Sequence, residues 1–204
     1  MTIKAIPTMY KGYKFRSRLE AKWAAFFELY TNRGLQWEYE PEGFDLDGLW
    51  YLPDFRVTSP QGYVQWYEIK PPNVPLSFTD QRKISEFDKA ICAANTAIVD
   101  AKYRADFEVL QGSPRQILAR GVGGICPRCG LIDASQPIPQ NHDDYFQCLT
   151  CDNNQPDDSE SGLFGTVHFH KGLIFIPDKL DYLNYLFVIR NTTDIAETMQ
   201  FDRA

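Results

Sequence analysis

Two carboxylates and a lysine stand in an order that suits work on a phosphate ester. Asp54 follows Pro53, and Glu68 and Lys70 flank Ile69 in the segment YEIK (67–70). Alternate residues of a β-strand share one face, so Glu68 and Lys70 project together. If the strand that carries Asp54 pairs beside this one, all three side chains meet.

Such a set of groups predicts metal-assisted hydrolysis of a phosphodiester. Carboxylate oxygens hold Mg²⁺ or Mn²⁺ while leaving the ion several waters, and the ion polarises the phosphate and lowers the pKa of an attacking water. A lysine beside them orients that water or offsets charge that develops on phosphorus. Each half alone is weak evidence, because Pro-Asp is a frequent turn dipeptide and Glu-x-Lys is common on strand surfaces.

A second candidate metal site comes from cysteines. Four of the five cysteines form two pairs, Cys126 with Cys129 and Cys148 with Cys151, separated by eighteen residues. This spacing is typical of zinc sites, and four thiolates leave the ion no open position, which predicts structural Zn²⁺. The zinc either holds together a segment too short for a core or forms a zinc-ribbon-like module that grips DNA.

Periodicity predicts the elements that position these residues. Apolar side chains from Arg18 to Tyr30 recur at three- and four-residue spacing, which indicates a helix with one buried face. Ser17 and Glu20 have the form of a capping box at its start, and Gly34 ends it. Further strands are predicted at 35–39, 50–58, 62–70, 96–99 and 107–110, and a helix at 78–93. This order predicts an α/β core with a mixed sheet flanked by helices.

The character of the chain changes near Gly121, where glycines give way to cysteines, prolines and amides. We therefore expect a core at 1–121, a zinc module and loop at 122–162, and a strand and helix extension at 163–204. The strand is predicted at 166–176 and the helix at 179–190, opened by Asp178 as its cap. This extension either packs on the core or forms a dimer interface.

The segment LPDF (52–55) followed by YEIK (67–70) resembles the signature of the PD-(D/E)XK nuclease superfamily. FRSRLEAKW (15–23) places Glu20 where that superfamily often carries a helix glutamate. The likeness spans roughly residues 10–110 and is strongest to small nucleases of tailed phages and mobile elements. Holliday-junction resolvases, some homing endonucleases and the transposon end-cleaving subunit are more distantly similar. The resemblance implies a restriction-endonuclease-like core.

The resemblance also implies a role for each matching residue. Asp54 and Glu68 would bind Mg²⁺ or Mn²⁺ together with the carbonyl of Ile69, and Glu20 would complete the site or hold a second ion. Lys70 would position the attacking water. Cleavage of DNA, double-stranded or branched, would leave 5′-phosphate and 3′-hydroxyl ends.

Charge indicates where DNA would bind. The net charge of −6 and pI of about 5.1 argue against a protein that coats nucleic acid by bulk electrostatics. The first forty residues nevertheless hold seven Lys/Arg against four Glu. Lys14, Arg16 and Arg18 are therefore candidates for phosphate contacts, with a solvated basic face as the alternative.

Two other functions fit the same residues. One is a non-catalytic zinc-ribbon DNA-binding or adaptor protein on a nuclease-like scaffold, although a binding module has no need of carboxylates facing an anionic backbone. The other is a structure-selective resolvase acting as a two-fold homodimer. The sequence shows neither a membrane-spanning segment nor a secretory signal, which predicts a cytoplasmic protein of a bacterium or phage-infected host.

Overall fold

The computed structural model describes residues 5–98, 105–119, 124–126, 129–133, 160–162, 165–170, 173–175 and 179–204. The α-helices in these ranges are α1 (Arg18–Leu29), α2 (Phe78–Thr96) and α3 (Lys179–Thr198). The strands are β1 (Thr8–Tyr10), β2 (Tyr13–Phe15), β3 (Gln36–Tyr39), β4 (Phe44–Leu46), β5 (Leu49–Tyr51), β6 (Phe55–Thr58), β7 (Val64–Lys70), β8 (Ala105–Gln111), β9 (Gly124–Ile125), β10 (Ile132–Asp133), β11 (Glu160–Gly162), β12 (Gly165–His170), β13 (Leu173–Phe175) and β14 (Asp202–Arg203). None of the helices in these ranges is long and apolar enough to cross a membrane.

A four-stranded mixed sheet in the order β3-β6-β7-β8 forms the centre of the molecule. β3 and β6 are antiparallel, as are β6 and β7, whereas β7 and β8 are parallel. Parallel neighbours need a long crossover connection, and α2 lies within the one that joins β7 to β8. The prediction of a mixed sheet flanked by helices is confirmed.

One face of the sheet packs against α1. The Ser17 hydroxyl accepts a hydrogen bond from the Glu20 N–H at 3.2 Å, which caps the helix. The predicted apolar face is confirmed, since Trp23 and Phe27 are buried in the main core. The Phe27 ring lies 5.4 Å from that of Tyr67, a β7 residue, so the helix is fixed directly onto the sheet.

The opposite face carries a smaller aromatic cluster around Phe87 of α2. Its ring lies 4.9 Å from that of Tyr51, 6.0 Å from that of Trp66 and 4.8 Å from that of Phe44. Both faces of β7 are therefore covered, which explains why this strand is buried along almost its whole length.

The predicted strand at 50–58 was wrong, because the structure divides it into two. β5 pairs with β4 in a separate hairpin, and residues 52–54 link it to β6. The hairpin turn passes through Asp47 (φ 53°) and Gly48 (φ 80°), the left-handed pair that a two-residue hairpin loop requires. Pro53 lacks the N–H that a continuous ladder would use, so the break falls there.

The predicted strand at 96–99 was also wrong over its described residues. Thr96 is the last residue of α2, and Ala97 is its C-cap. Val99 lies outside the described residues. The strand predicted at 107–110 is confirmed and longer, because β8 spans Ala105–Gln111 and pairs with β7 along seven residues.

The C-terminal helix is longer than predicted and packs against α1. α3 continues eight residues past the predicted end at 190, to Thr198, and buries Ile189 and Ala196 in the main core. Lys22 of α1 pairs with Glu197 at 2.5 Å. The single strand predicted at 166–176 is a hairpin of β12 and β13. Asp178, the predicted cap, and Gly121, the predicted boundary, lie outside the described residues.

Candidate active site

The register of the central sheet brings Asp54 and Glu68 together. Phe55 faces Tyr67 across the β6–β7 ladder, so Asp54, one residue before β6, stands opposite Glu68. The Ile69 N–H donates to Asp54 Oδ2 at 2.7 Å, which ties the carboxylate to β7. Asp54 is only 2% exposed and Glu68 only 6%. Two buried acids therefore face each other at the end of adjacent strands, as the sequence predicts.

Glu20 joins this group from the first turn of α1. Its Oε1 accepts from the Ser17 hydroxyl at 2.7 Å, so it belongs to the helix cap. Its Oε2 accepts from the Tyr39 hydroxyl at 2.6 Å and from the Arg16 N–H at 3.1 Å. The side chain is buried. Glu20 therefore caps the helix with one oxygen and belongs to the acidic group as well.

Glu68 is held at both of its oxygens. The Tyr51 hydroxyl donates to Oε2 at 2.8 Å, and the Lys70 ammonium lies 2.8 Å from Oε1. Burial and the neighbouring Glu68 charge raise the pKa of Tyr51 well above its ordinary value. Tyr51 therefore stays protonated and acts as a fixed donor to the carboxylate.

Lys70 has a second acid on its other side. Its Nζ lies 3.3 Å from Asp80 Oδ1, while Asp80 Oδ2 accepts from the Ser77 hydroxyl at 2.6 Å. Ser77 is the N-cap of α2, so the helix start fixes the position of Asp80. Burial lowers the pKa of Lys70, but the interactions with Glu68 and Asp80 outweigh it and raise the pKa above the ordinary value. The lysine is therefore a protonated donor.

Asp54 is electrostatically crowded. Burial raises its pKa most, and the charges of Glu68 and Glu20 raise it further. The Arg16 charge and the Ile69 N–H lower it without cancelling the rise. An acid whose charged form is disfavoured in this way marks a place where additional positive charge would be stabilising.

Arg16 is the cation that the structure places there. Its Nη2 contacts Asp54 Oδ1, and its Nε lies 2.7 Å from Glu40 Oε1 and 3.9 Å from Glu20 Oε2. Burial lowers the pKa of Arg16, but these three acids outweigh that effect and raise it. The predicted phosphate-contacting arginine thus points into the acidic group.

Lys14 and Arg18 are exposed, as Arg16 is. In the part of the chain that the structure describes, neither takes part in an ion pair. Their contact with phosphate stays a prediction.

The donor chemistry of the acidic group fits a hard divalent cation, because such ions prefer carboxylate and carbonyl oxygens. Glu20, Asp54 and Glu68 supply carboxylates, and their crowding creates the demand for charge. With Arg16 paired to Asp54, however, no group of three or more His, Cys, Asp or Glu among the described residues is arranged to hold a metal ion. In the structure, Arg16 therefore supplies the positive charge next to Asp54.

Half of the predicted zinc site can be described. Cys126 and Cys129 lie in the turn between β9 and β10, and both are buried. The Cys129 N–H donates to Cys126 Sγ at 3.5 Å, and Gly130 (φ 76°) donates its N–H to the Cys126 carbonyl at 2.9 Å. A turn that carries Cys-x-x-Cys can offer two thiolates to one zinc ion. Cys148 and Cys151 lie outside the described residues.

Several residues that hold the site were missed in the sequence, namely Tyr39, Glu40, Tyr51 and Asp80. Asp80 could have been found, because Ser77 and Asp80 repeat the spacing of the α1 cap at the start of α2. Tyr51 was obscured by the wrong strand at 50–58, which carried Tyr51 and Asp54 on one element.

Comparison with known proteins yields no match to a family model, to a curated protein or to a solved structure. The likeness to PD-(D/E)XK nucleases therefore stays a prediction from the motifs, and the argument for function depends on the site itself.

Proposed function

We propose that this protein is a metal-dependent nuclease that hydrolyses phosphodiester bonds of DNA. The observation that carries the proposal is the meeting of Asp54, Glu68 and Glu20 beside the protonated Lys70. These acids come from a helix, a strand and the link before β6, and the charges of Glu20 and Glu68 disfavour the ionised form of Asp54. A functional demand for a cation explains that crowding.

The protein's own groups divide the work of hydrolysis. Asp54 and Glu68, with the Ile69 carbonyl, would hold Mg²⁺ or Mn²⁺, and Glu20 would complete the set. The bound ion would supply Lewis-acid activation of the phosphate and of water. Lys70 donates to the attacking water or to a phosphate oxygen, where it offsets developing negative charge.

Positioning residues keep these groups in place. Tyr51 fixes one oxygen of Glu68, Tyr39 fixes one oxygen of Glu20, and Asp80 holds Lys70. Each support comes from an element different from that of the group it holds, so the site depends on tertiary packing. Partners of this kind orient the groups that bind an ion and lower the reorganisation needed during reaction.

Cleavage of supercoiled plasmid and of a panel of branched DNAs, in Mg²⁺, Mn²⁺ and EDTA, tests the proposal. Metal-dependent cutting is expected in the wild type and is lost in Asp54→Asn and Lys70→Ala. Lys89→Ala is the matched control, because Lys89 is exposed and pairs only with Glu86 among the contacts described. Wild-type protein that binds DNA but cuts none of these substrates would overturn the proposal in favour of an adaptor role.

The same panel separates two kinds of nuclease. Preference for four-way junctions over plasmid would identify a structure-selective resolvase, which must make paired cuts as a dimer. Preference for linear or supercoiled duplex would identify an endonuclease of ordinary double-stranded DNA.

We also propose a structural Zn²⁺ bound by Cys126, Cys129, Cys148 and Cys151. The turn that holds the first pair supports it, together with the spacing of the second pair. Elemental analysis of the purified protein should find one zinc per chain, and Cys148→Ser should abolish it. Full zinc content in Cys148→Ser would contradict the assignment.

A further inference from the structure

One arginine serves several acids in the candidate site. Asp54 Oδ1 and Glu40 Oε1 both contact the guanidinium of Arg16, and Glu20 Oε2 lies 3.9 Å from its Nε. Planar guanidinium groups suit this role because their N–H donors diverge toward several oxygens at once. The arginine therefore supplies the positive charge that crowded carboxylates lack.

The charges around the arginine do not balance. Glu20, Glu40, Asp54, Glu68 and Asp80 contribute five negative charges when all are ionised, against Arg16 and Lys70. An excess of negative charge remains, which a divalent cation would reduce. The Arg16 guanidinium contacts Asp54 Oδ1. A divalent cation that binds this oxygen therefore competes with the guanidinium for it.

The Arg16 side chain has room to leave while its backbone stays fixed. The side chain is 55% exposed, whereas that of Asp54 is 2% exposed. The Arg16 N–H donates to Glu20 Oε2 at 3.1 Å and to the Tyr39 hydroxyl at 3.2 Å. A change of side-chain rotamer therefore frees Asp54 without moving β2 or α1.

We infer that Arg16 is the resident counter-ion of the acidic group and that a divalent cation displaces it from Asp54. The inference rests on the proposed function for the identity of that cation. It assigns Arg16 a positioning role distinct from phosphate contact: the arginine stabilises the metal-free site and lowers its affinity for metal by competition. The displaced guanidinium then lies at the rim, where DNA would approach.

Calorimetric titration of Mn²⁺ into the full chain without DNA tests the competition. Arg16→Gln is expected to lower the Kd for Mn²⁺ roughly three- to tenfold, since the ion no longer displaces a bound cation. Arg115→Gln is the matched control, because it removes an exposed arginine that pairs with Asp194 at 3.7 Å, and it should leave the Kd unchanged. An unchanged or higher Kd in Arg16→Gln overturns the inference.

Thermal unfolding gives an independent reading of the same competition. In EDTA, Arg16→Gln should unfold at a lower temperature than wild type, because its acids have lost their counter-ion. Saturating Mn²⁺ should close that difference. A difference that persists at saturation would show an ordinary structural role.

A measurement on wild type covers the case in which Arg16→Gln does not fold. The ¹⁵N–¹H signal of Arg16 Nε, assigned by its loss in Arg16→Lys, should shift as Mg²⁺ is added and the ion pair with Asp54 opens. A signal insensitive to Mg²⁺, in a protein that cleaves DNA, overturns this inference and leaves the nuclease proposal standing. If Arg16→Gln binds Mn²⁺ more tightly but the protein cuts no DNA, the competition by Arg16 stands and the nuclease proposal is overturned.

Discussion

The acidic group and the cysteine turn are both candidate metal sites, yet they are built in opposite ways. Glu20, Asp54 and Glu68 come from a helix, the link before β6 and a strand, and tertiary contacts hold each one. Cys126 and Cys129 come from one turn, where local backbone hydrogen bonds set their positions. The first site crowds charges that oppose folding, whereas the second buries small side chains that favour it. Function and stability should therefore separate between the two sites.

The largest effect is expected from Asp54→Asn, which should slow the cleavage of DNA. Loss of this carboxylate should reduce the cleavage rate by about a thousandfold, because both ion binding and the charge at the site change. The metal-free protein should become more stable by about 1 kcal/mol, because the crowded charge has been removed. Plasmid cleavage and urea unfolding in EDTA measure the two effects.

A rise in stability without loss of cleavage would show that Asp54 is a structural acid. A large fall in stability would contradict the electrostatic comparison, since it would mean that the pair with Arg16 outweighs the repulsion.

The reverse pattern is expected from Cys126→Ser. A polar hydroxyl in place of this buried sulfur, with loss of zinc, should lower the free energy of unfolding by about 2–4 kcal/mol. The affinity of the acidic group for Mn²⁺ should change by less than about twofold, because the two sites share no ligand residue. Chemical denaturation and Mn²⁺ titration provide the test.

Cys92→Ser is the control for this change, because Cys92 is exposed on α2. If both serine variants lose the same stability, the cysteine turn has no special structural role.

Tyr51→Phe separates positioning from packing. The substitution keeps the ring among Phe87 and Trp66 but removes the hydroxyl that donates to Glu68. The cleavage rate should fall about tenfold while the free energy of unfolding changes by about 1 kcal/mol or less. Tyr13→Phe, at an exposed tyrosine, should change neither. Equal rates for Tyr51→Phe and wild type would show that Lys70 alone orients Glu68.

The smallest effect is expected from Asp80→Asn. Asp80 raises the pKa of Lys70, so its removal lowers that pKa. If the protonated lysine acts in cleavage, the alkaline limb of the pH–rate profile moves to lower pH. At neutral pH the rate should fall only about two- to fivefold, because the pair is partly exposed. An alkaline limb that stays in place would remove Lys70 from the acid–base chemistry.

Local patterns made part of the site readable from the sequence. The period of α1 and its Ser17 cap depend on residues within two turns, and the strand face shared by Glu68 and Lys70 depends on alternation alone. Pairing of Asp54 with Glu68 followed once the strands were taken as neighbours. The period, the cap and the alternation need no knowledge of distant residues, whereas this pairing needs the assumption that the two strands are neighbours.

Other features depend on contacts between residues far apart in the chain. Nothing in the neighbourhood of Tyr51 or Tyr39 indicates that their hydroxyls hold Glu68 and Glu20. The β-branched character of residues 96–99 favours a strand, but α2 continues to Thr96, and the Asn95 side chain bonds both the N–H and the carbonyl of Ala105 on β8. The basic neighbours of Arg16 in the sequence predict a phosphate contact, whereas its partners in the structure include Asp54 and Glu40.

The parallel pairing of β7 with β8 has a consequence for synthesis of the chain. All the proposed catalytic residues precede residue 71, yet the outer edge of β7 is completed only by β8, which begins at Ala105. The indole N–H of Trp23, in α1, likewise donates at 2.9 Å to the carbonyl of Gly112, a residue that follows β8. Because the chain emerges from the ribosome in order, a nascent chain that already carries every proposed catalytic residue still lacks β8 and Gly112. The support of the acidic group is therefore complete only after residue 112 has been synthesised.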